Sequence, residues 1–166
     1  MLEEQLLDTK RHDRRAFVSG VAELDDYLRR FAAQHSEKGV TNIRVLVDTD
    51  APALILGYYT LSAAELHPEQ LSDAAQKKLP RYPVPCFRMG RLAIQRDRQG
   101  QGLGAALLAC VVERCLNARQ HVAAYALLVD AKDEKTKAFY TYHGFMACRD
   151  HPLTLYLPLG QPRNTA

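Results

Sequence analysis

The chain has 166 residues, enough for one domain with a hydrophobic core of its own. Hydrophobic residues make up 47% and charged residues 25%, which excludes a disordered or low-complexity chain, and a net charge of +3 permits an anionic partner without demanding one. No apolar run nears the ~20 residues of a membrane span, and the acidic stretch Met1 to Gln5 lacks the regions of a signal peptide, so no membrane contact is expected and the cytoplasm is the expected location.

In chain order, residues 2–8 read as an edge strand, and Ser19-Gly20 as a turn. From Glu23 to His35 the apolar residues Leu24, Tyr27, Leu28, Phe31 and Ala32 recur at helical spacing, which predicts one amphipathic helix with Arg29 and Arg30 on its solvated face. Ile43–Val47 and Ala53–Ser62 are expected as an antiparallel hairpin with a loop of about five residues. Residues 65–82 are weakly helical at most. Pro80, Pro83 and Pro85 exclude regular structure there, leaving a loop that carries Lys77, Lys78 and Arg81, either plainly solvated or in contact with a polyanion.

A strand over 87–95 then runs into a glycine-rich turn, followed by a helix over 103–118 with a continuous apolar stripe from Leu103 to Leu116. Val122–Val129 is apolar on both faces, as a central strand of parallel type would be, so strand, helix and strand form one right-handed βαβ unit. The stretch Asp130 to Glu134 offers a helix cap, and that helix ends at Gly144. Phe145–Ala147 and Leu153–Leu157 read as two closing strands, and residues 160–166 as a frayed tail. The whole chain, 1–166, is expected to be one domain.

The four cysteines, Cys86, Cys110, Cys115 and Cys148, form no Cys-x-x-Cys pair and are joined by no histidine cluster, so no metal site is expected and the plain reading is core filler.

The chemistry concentrates in Gln99-Gly100-Gln101-Gly102-Leu103-Gly104. Alternating glycines bare the backbone, and the N–H groups that open the following helix are unpaired donors with the positive end of the helix dipole behind them. Strand, glycine loop and helix N-terminus together make a phosphate cradle. A ligand-free glycine turn is the alternative. No Lys-Ser or Lys-Thr follows, so this is not a P-loop, and Gly-x-Gly-x-Gly departs from the dinucleotide fingerprint Gly-x-Gly-x-x-Gly.

Gln99-x-x-Gly102-x-Gly104 resembles the Gln/Arg-x-x-Gly-x-Gly/Ala loop of the GCN5-related N-acetyltransferases (GNAT), and Phe139-Tyr140-x-x-x-Gly144-Phe145 resembles that family's last helix and the turn after it. The order of elements over residues 12–158 agrees. The resemblance implies the GNAT fold, an α/β (α+β) domain with a single mixed, mostly antiparallel sheet flanked by helices on both faces. It also implies acetyl-CoA as cosubstrate, with its pyrophosphate on the backbone of Gln99, Gly100, Gln101, Gly102, Leu103, Gly104 and Ala105 and its pantetheine arm paired with the backbone of Leu92, Ala93 and Ile94. Asp133 stands where many members carry an Asn near the cofactor.

More narrowly, Phe17-x-Ser19-Gly20, Leu24-Asp25-x-Tyr27-Leu28, Gly57-Tyr58-Tyr59-Thr60-Leu61-Ser62, Leu79-Pro80-Arg81-Tyr82-Pro83, Gly90-Arg91-Leu92-Ala93 and Val129 to Asp133 resemble the tRNA-acetylating toxins of toxin–antitoxin modules. Those toxins often carry Cys where this chain has Ser19. This resemblance implies acetylation of the amino group of an aminoacyl-tRNA, a homodimer, and a ribbon-helix-helix antitoxin as partner. Acetylation of a small amine or a protein N-terminus is the alternative activity, and a cofactor-binding protein without transfer is the non-enzymatic one.

An acetyl transfer needs positioning, a polarised carbonyl and a proton for the leaving sulfur. By spacing alone Tyr140 packs as core beside Phe139; by family position it is the proton donor, a phenol with an ordinary pKa near 10. Tyr142 lies on another face of the helix. No carboxylate or histidine stands out as general base; His35, His121 and His143 are unsupported. An α-amino group, already partly neutral near pH 8, needs one least. Arg91, beside the cofactor strand, is open to two readings, a contact to a tRNA phosphate or a structural ion pair.

Overall fold

The computed structural model describes residues 1–160; the expected fraying over 160–166 falls, but for Gly160, outside them. In chain order the elements are β1 (Leu2–Leu6), α1 (Ala22–Arg30), α2 (Ala32–Glu37), β2 (Asn42–Asp48), β3 (Gly57–Leu66), α3 (Asp73–Gln76), β4 (Val84–Ile94), α4 (Leu103–Ala118), β5 (Ala126–Asp130), α5 (Glu134–Tyr142), β6 (Met146–Ala147) and β7 (Thr154–Pro158). The strands form one open sheet in the order β1-β2-β3-β4-β5-β7-β6, mixed and mostly antiparallel, with β4 and β5 parallel. This is the expected sheet, with β1 at its edge.

Contacts group the chain into two compact units, residues 1–62 with 90–111, and residues 63–89 with the rest. In the first, β2 alternates: Ile43, Val45 and Val47 face a cluster with Tyr27 and Leu28 of α1, Ala32 of α2, Tyr58 and Ala93. Gly57, one residue out of phase with Tyr58, looks the other way, toward Leu107 of α4. Helices thus cover both faces. In the second unit Leu66, Leu71, Val84, Cys86, Ala126, Leu128, Cys148 and Tyr156 make the core. The four cysteines form no disulfide among the described residues, and burial pushes Cys86 up to about 11 and Cys115 up to about 12, so these two are unreactive packing.

Several boundaries differ from the sequence reading. The single helix over 23–35 is two, broken at Phe31, whose φ of −118° leaves the helical range. Arg14 donates to the carbonyls of Leu28 and Arg29 at 3.5 and 3.3 Å, so the last turn of α1 has its acceptors satisfied where the break falls. The second hairpin strand starts at Gly57, not Ala53, because residues 49–56 are held elsewhere: the Asp48 carboxylate accepts from Asp50 N, and Asp13 N donates to Ala53 O at 2.8 Å. Pro85 lies inside β4. It gives no N–H, but its carbonyl accepts from Tyr125 N at 2.8 Å, which suits a proline near a strand's start. β5 begins only at Ala126, since the amides of His121 and Val122 close the end of α4 on Ala118 O.

Candidate acetyl-transfer site

The predicted helix over 103–118 is α4 to the residue, and the loop before it is shaped as its glycines require. After β4 a short 3₁₀ turn, Arg96–Arg98, leads to an extended Gln99. Gly100 and Gly102 have φ of +79° and +80°, the left-handed region that disfavours side chains. A Cβ built on either meets nothing within 4 Å, so both stand in open space. The Gly102 carbonyl accepts from Ala106 N at 3.1 Å and opens α4; Leu103, Gly104 and Ala105 form its first turn, whose N–H groups have no partner within the helix. Gln99 through Gly102 are exposed. A bare loop, a helix start and the flanking cations Arg96 and Arg98 fit a pyrophosphate.

The loop is anchored by the segment before α1. Gln99 Nε2 donates to Ser19 O and Ile94 O at 2.8 and 2.9 Å. Arg96 N donates to Val18 O, and Val18 N to Gln95 Oε1. Gly20, at φ +93°, lies so close to the Arg96 guanidinium that a Cβ there would sit 3.1 Å from it. Ser19 is tied in turn: its N and Oγ both donate to the buried carboxylate of Asp25, at 2.9 and 2.6 Å. The Phe17-x-Ser19-Gly20 and Leu24-Asp25 motifs therefore brace the glycine loop, a role the sequence reading did not assign.

Leu92, Ala93 and Ile94 close β4 in the same unit as the loop. The register of β4 with β5 ends at Met89↔Val129, five residues before β4 itself ends. Gly57 packs against this strand end: a Cβ would come within 2.9 Å of Ala93 O and 2.8 Å of Ile94 Cδ1.

Asp133 and Tyr140 lie in the second unit. Asp133 is the N-cap of α5; its Oδ1 accepts from Thr136 N and Thr136 Oγ1, both at 2.8 Å, and these bonds hold its pKa below the ordinary value. Tyr140 is 4% exposed, its ring 5.3 Å from Phe139 and 5.4 Å from Phe145. Its hydroxyl makes no hydrogen bond to another described residue, yet no described buried side-chain oxygen lacks a partner, so the hydroxyl opens to solvent. Burial first, and Asp130 second, raise its pKa well above the ordinary value, so the phenol keeps its proton throughout the neutral range. Tyr142 is 85% exposed. Of the histidines, His35 is engaged with the Tyr27 hydroxyl at 2.9 Å. Among the described residues no group of three or more His, Cys, Asp or Glu side chains comes together.

This combination of fold and loop is that of an acetyltransferase. Residues 31–147 match the model of the GNAT acetyltransferase domain, and the chain belongs to that family. It is an N-acetyltransferase by that membership. Over 148 residues it is 32% identical to a tRNA-acetylating toxin of Mycobacterium tuberculosis, covering 89% of this chain and 87% of that protein. It also matches the structure of AtaT complexed with acetyl-methionyl-tRNAfMet, at 29% identity and a TM-score of 0.89, over 95% of this chain and 95% of that one. A tyrosine-to-phenylalanine mutant of AtaT bound to the C-terminus of the antitoxin AtaR and acetyl-CoA matches at 26% identity and a TM-score of 0.81, over 95% and 93%.

Proposed function

We propose that the chain moves an acetyl group from acetyl-CoA to the α-amino group of an aminoacyl-tRNA, and so acts as the toxin of a toxin–antitoxin module. The observation that carries this is the 32% identity to a tRNA-acetylating toxin over nearly the whole chain. The site agrees with it: Gly100 and Gly102 leave room for phosphates to meet backbone donors, and no built general base is needed for an α-amine with a pKa of about 7.7–8.0.

When bound, acetyl-CoA supplies an acetyl group activated as a thioester. The amides across Gln99, Gly100, Gln101, Gly102, Leu103, Gly104 and Ala105 hold its pyrophosphate; the backbone of Leu92, Ala93 and Ile94 pairs with its arm, and an N–H there polarises the acyl carbonyl. Tyr140 is the catalytic acid: its phenol, protonated at neutral pH, donates to the departing sulfur. Asp133 serves the cofactor side indirectly, by fixing the start of the helix that carries Tyr140.

The resemblance to the toxins supports a homodimer neutralised by a ribbon-helix-helix antitoxin, working in the cytoplasm where aminoacyl-tRNA is made. No helix of the described residues is long and apolar enough to cross a membrane. One acetyltransferase domain over the whole chain suffices for this activity.

The test is a cell-free translation extract given the purified chain. Translation is expected to stop only when acetyl-CoA is present, and to continue with Tyr140→Phe. Undiminished translation with active, acetyl-CoA-supplied wild type contradicts the toxin role.

A further inference from the structure

The strand end Leu92–Ile94 serves through its backbone, but the side chain one position before it is also placed. Arg91 and Ala93 share a face of β4, and Ala93 is buried in the cluster with Tyr27, Leu28 and Tyr58. On that face the centre of the Arg91 guanidinium lies 3.5 Å from the centre of the Tyr27 ring. That is a close cation–π stack. Tyr27 is held from three sides. It is 4% exposed, its hydroxyl meets His35 Nδ1 at 2.9 Å, and its ring stacks on Phe31 with planes 27° apart. The ring therefore fixes the guanidinium rather than following it.

Stacking occupies the face of a guanidinium and leaves its N–H donors, which lie in the plane, free. Among the described residues Arg91 has no hydrogen bond and no ion pair. The buried carboxylate of α1, Asp25, is already taken by Ser19. So the structural ion pair that the sequence left open is not made among the described residues, and an oriented, half-buried cation remains there without an anion.

Strand direction says which anion. The phosphate loop follows the C-terminal end of β4, so an arm running back along Ile94–Leu92 brings its acyl end toward Arg91, about 10 Å of strand upstream of Ile94. An acceptor amine must arrive there. In an aminoacyl-tRNA that amine is joined to the terminal ribose, and a phosphodiester lies on the 5′ side of the same nucleoside.

We propose that Arg91, held on Tyr27, binds that terminal phosphodiester and is a specificity-determining residue, selecting amines carried on RNA over free ones. Two parallel N–H donors of a guanidinium match two phosphate oxygens, which a lysine ammonium does not. The proposal rests on the aminoacyl-tRNA reading above.

The test compares two acceptors with the full chain: aminoacyl-tRNA, and the same amino acid on an adenosine that carries no phosphate. In Arg91→Gln the ratio of kcat/KM for the two is expected to fall about ten- to a hundredfold, through KM for the RNA. Arg91→Lys is expected to recover part of it. Tyr27→Phe keeps the ring and is expected to keep the ratio, whereas Tyr27→Leu is expected to lose it. A second readout needs no turnover: for tRNA binding, the slope of log Kd against log salt is expected to drop by about 0.7 in Arg91→Gln, one single-strand phosphate contact. An unchanged ratio with an unchanged salt slope, or equal losses on both acceptors, overturns the role of Arg91 while transfer to RNA by the wild type still stands. If the wild type acetylates the nucleoside but not the RNA, the aminoacyl-tRNA reading itself fails, and this proposal with it.

Discussion

Tyr140 divides its work between two ends. The ring packs with Phe139 and Phe145, and the hydroxyl makes no bond to another described residue. Removing the oxygen alone is therefore expected to leave stability within about 0.5 kcal/mol, as for a substitution that breaks no contact. The same Tyr140→Phe change is expected to lower kcat about 10²–10⁴-fold with the Kd for acetyl-CoA unchanged, by thermal melts, calorimetry and steady-state kinetics. A kcat that stays within a factor of three removes Tyr140 from the chemistry. Burial raises the phenol above its ordinary value, so its loss of a proton lies above pH 10. The pH profile of kcat/KM is thus expected to rise from pH 6 to 8, as the acceptor α-amine loses its proton, with no falling limb below pH 10 from this group. Ser19 shows the opposite division, with nothing for a ligand and everything for the fold. Ser19→Ala leaves the buried Asp25 short of its 2.6 Å partner and is expected to cost about 1–3 kcal/mol in chemical denaturation, with the loop it braces loosened. Sequence spacing gave Tyr140 only as core and gave Ser19 no role. A side chain's free hydroxyl or buried carboxylate partner is a three-dimensional fact that neither periodicity nor composition contains.

Among the elements, the loop and α4 were the most legible, because glycine alternation and a four-turn apolar stripe are strong local signals. The structure adds what the loop costs to change. Gly102→Ala puts a side chain at φ +80°, a strain of about 1–2 kcal/mol, and projects a methyl into the space left over the backbone amides. It is expected to weaken acetyl-CoA binding by more than that strain lowers stability; equal binding by titration calorimetry contradicts the cradle. Gly57 was read only as part of a strand motif. Its Cβ would strike the backbone oxygen of Ala93, which cannot swing aside, so Gly57→Ala is expected to cost about 1–3 kcal/mol and to weaken acetyl-CoA binding by displacing the cofactor strand. Three of the misread boundaries have one cause in common, whereas the late start of β5 is set locally by the bonds that close α4 on Ala118 O. At Phe31, at residues 49–56 and at Pro85, partners far away in sequence (Arg14, Asp13 and Tyr125) supply or claim the hydrogen bonds that decide where an element ends.

For the whole molecule, a net charge of +3 understates its capacity for RNA, because the charge is unevenly spread. From Ala74 to Arg96 the chain carries Lys77, Lys78, Arg81, Arg88, Arg91 and Arg96 and no carboxylate. Lys77, Lys78 and Arg81 are exposed and form none of the described ion pairs. Affinity for tRNA is accordingly expected to fall linearly in log–log form with salt, as counterion release requires. Family and cofactor were legible in the chain because a phosphate cradle is a contiguous motif. The acceptor was legible through the motifs shared with the tRNA-acetylating toxins, but the stacking of Arg91 on Tyr27 was not, because it joins residues of β4 and α1 that lie far apart in the sequence. The most direct measurement is incubation of the chain with labelled acetyl-CoA and total aminoacyl-tRNA, with mass spectrometry of the products. The expected result is an N-acetylated amino acid still esterified to tRNA, lost in Tyr140→Phe. Label confined to small amines or protein N-termini, with every aminoacyl-tRNA unmodified, contradicts it.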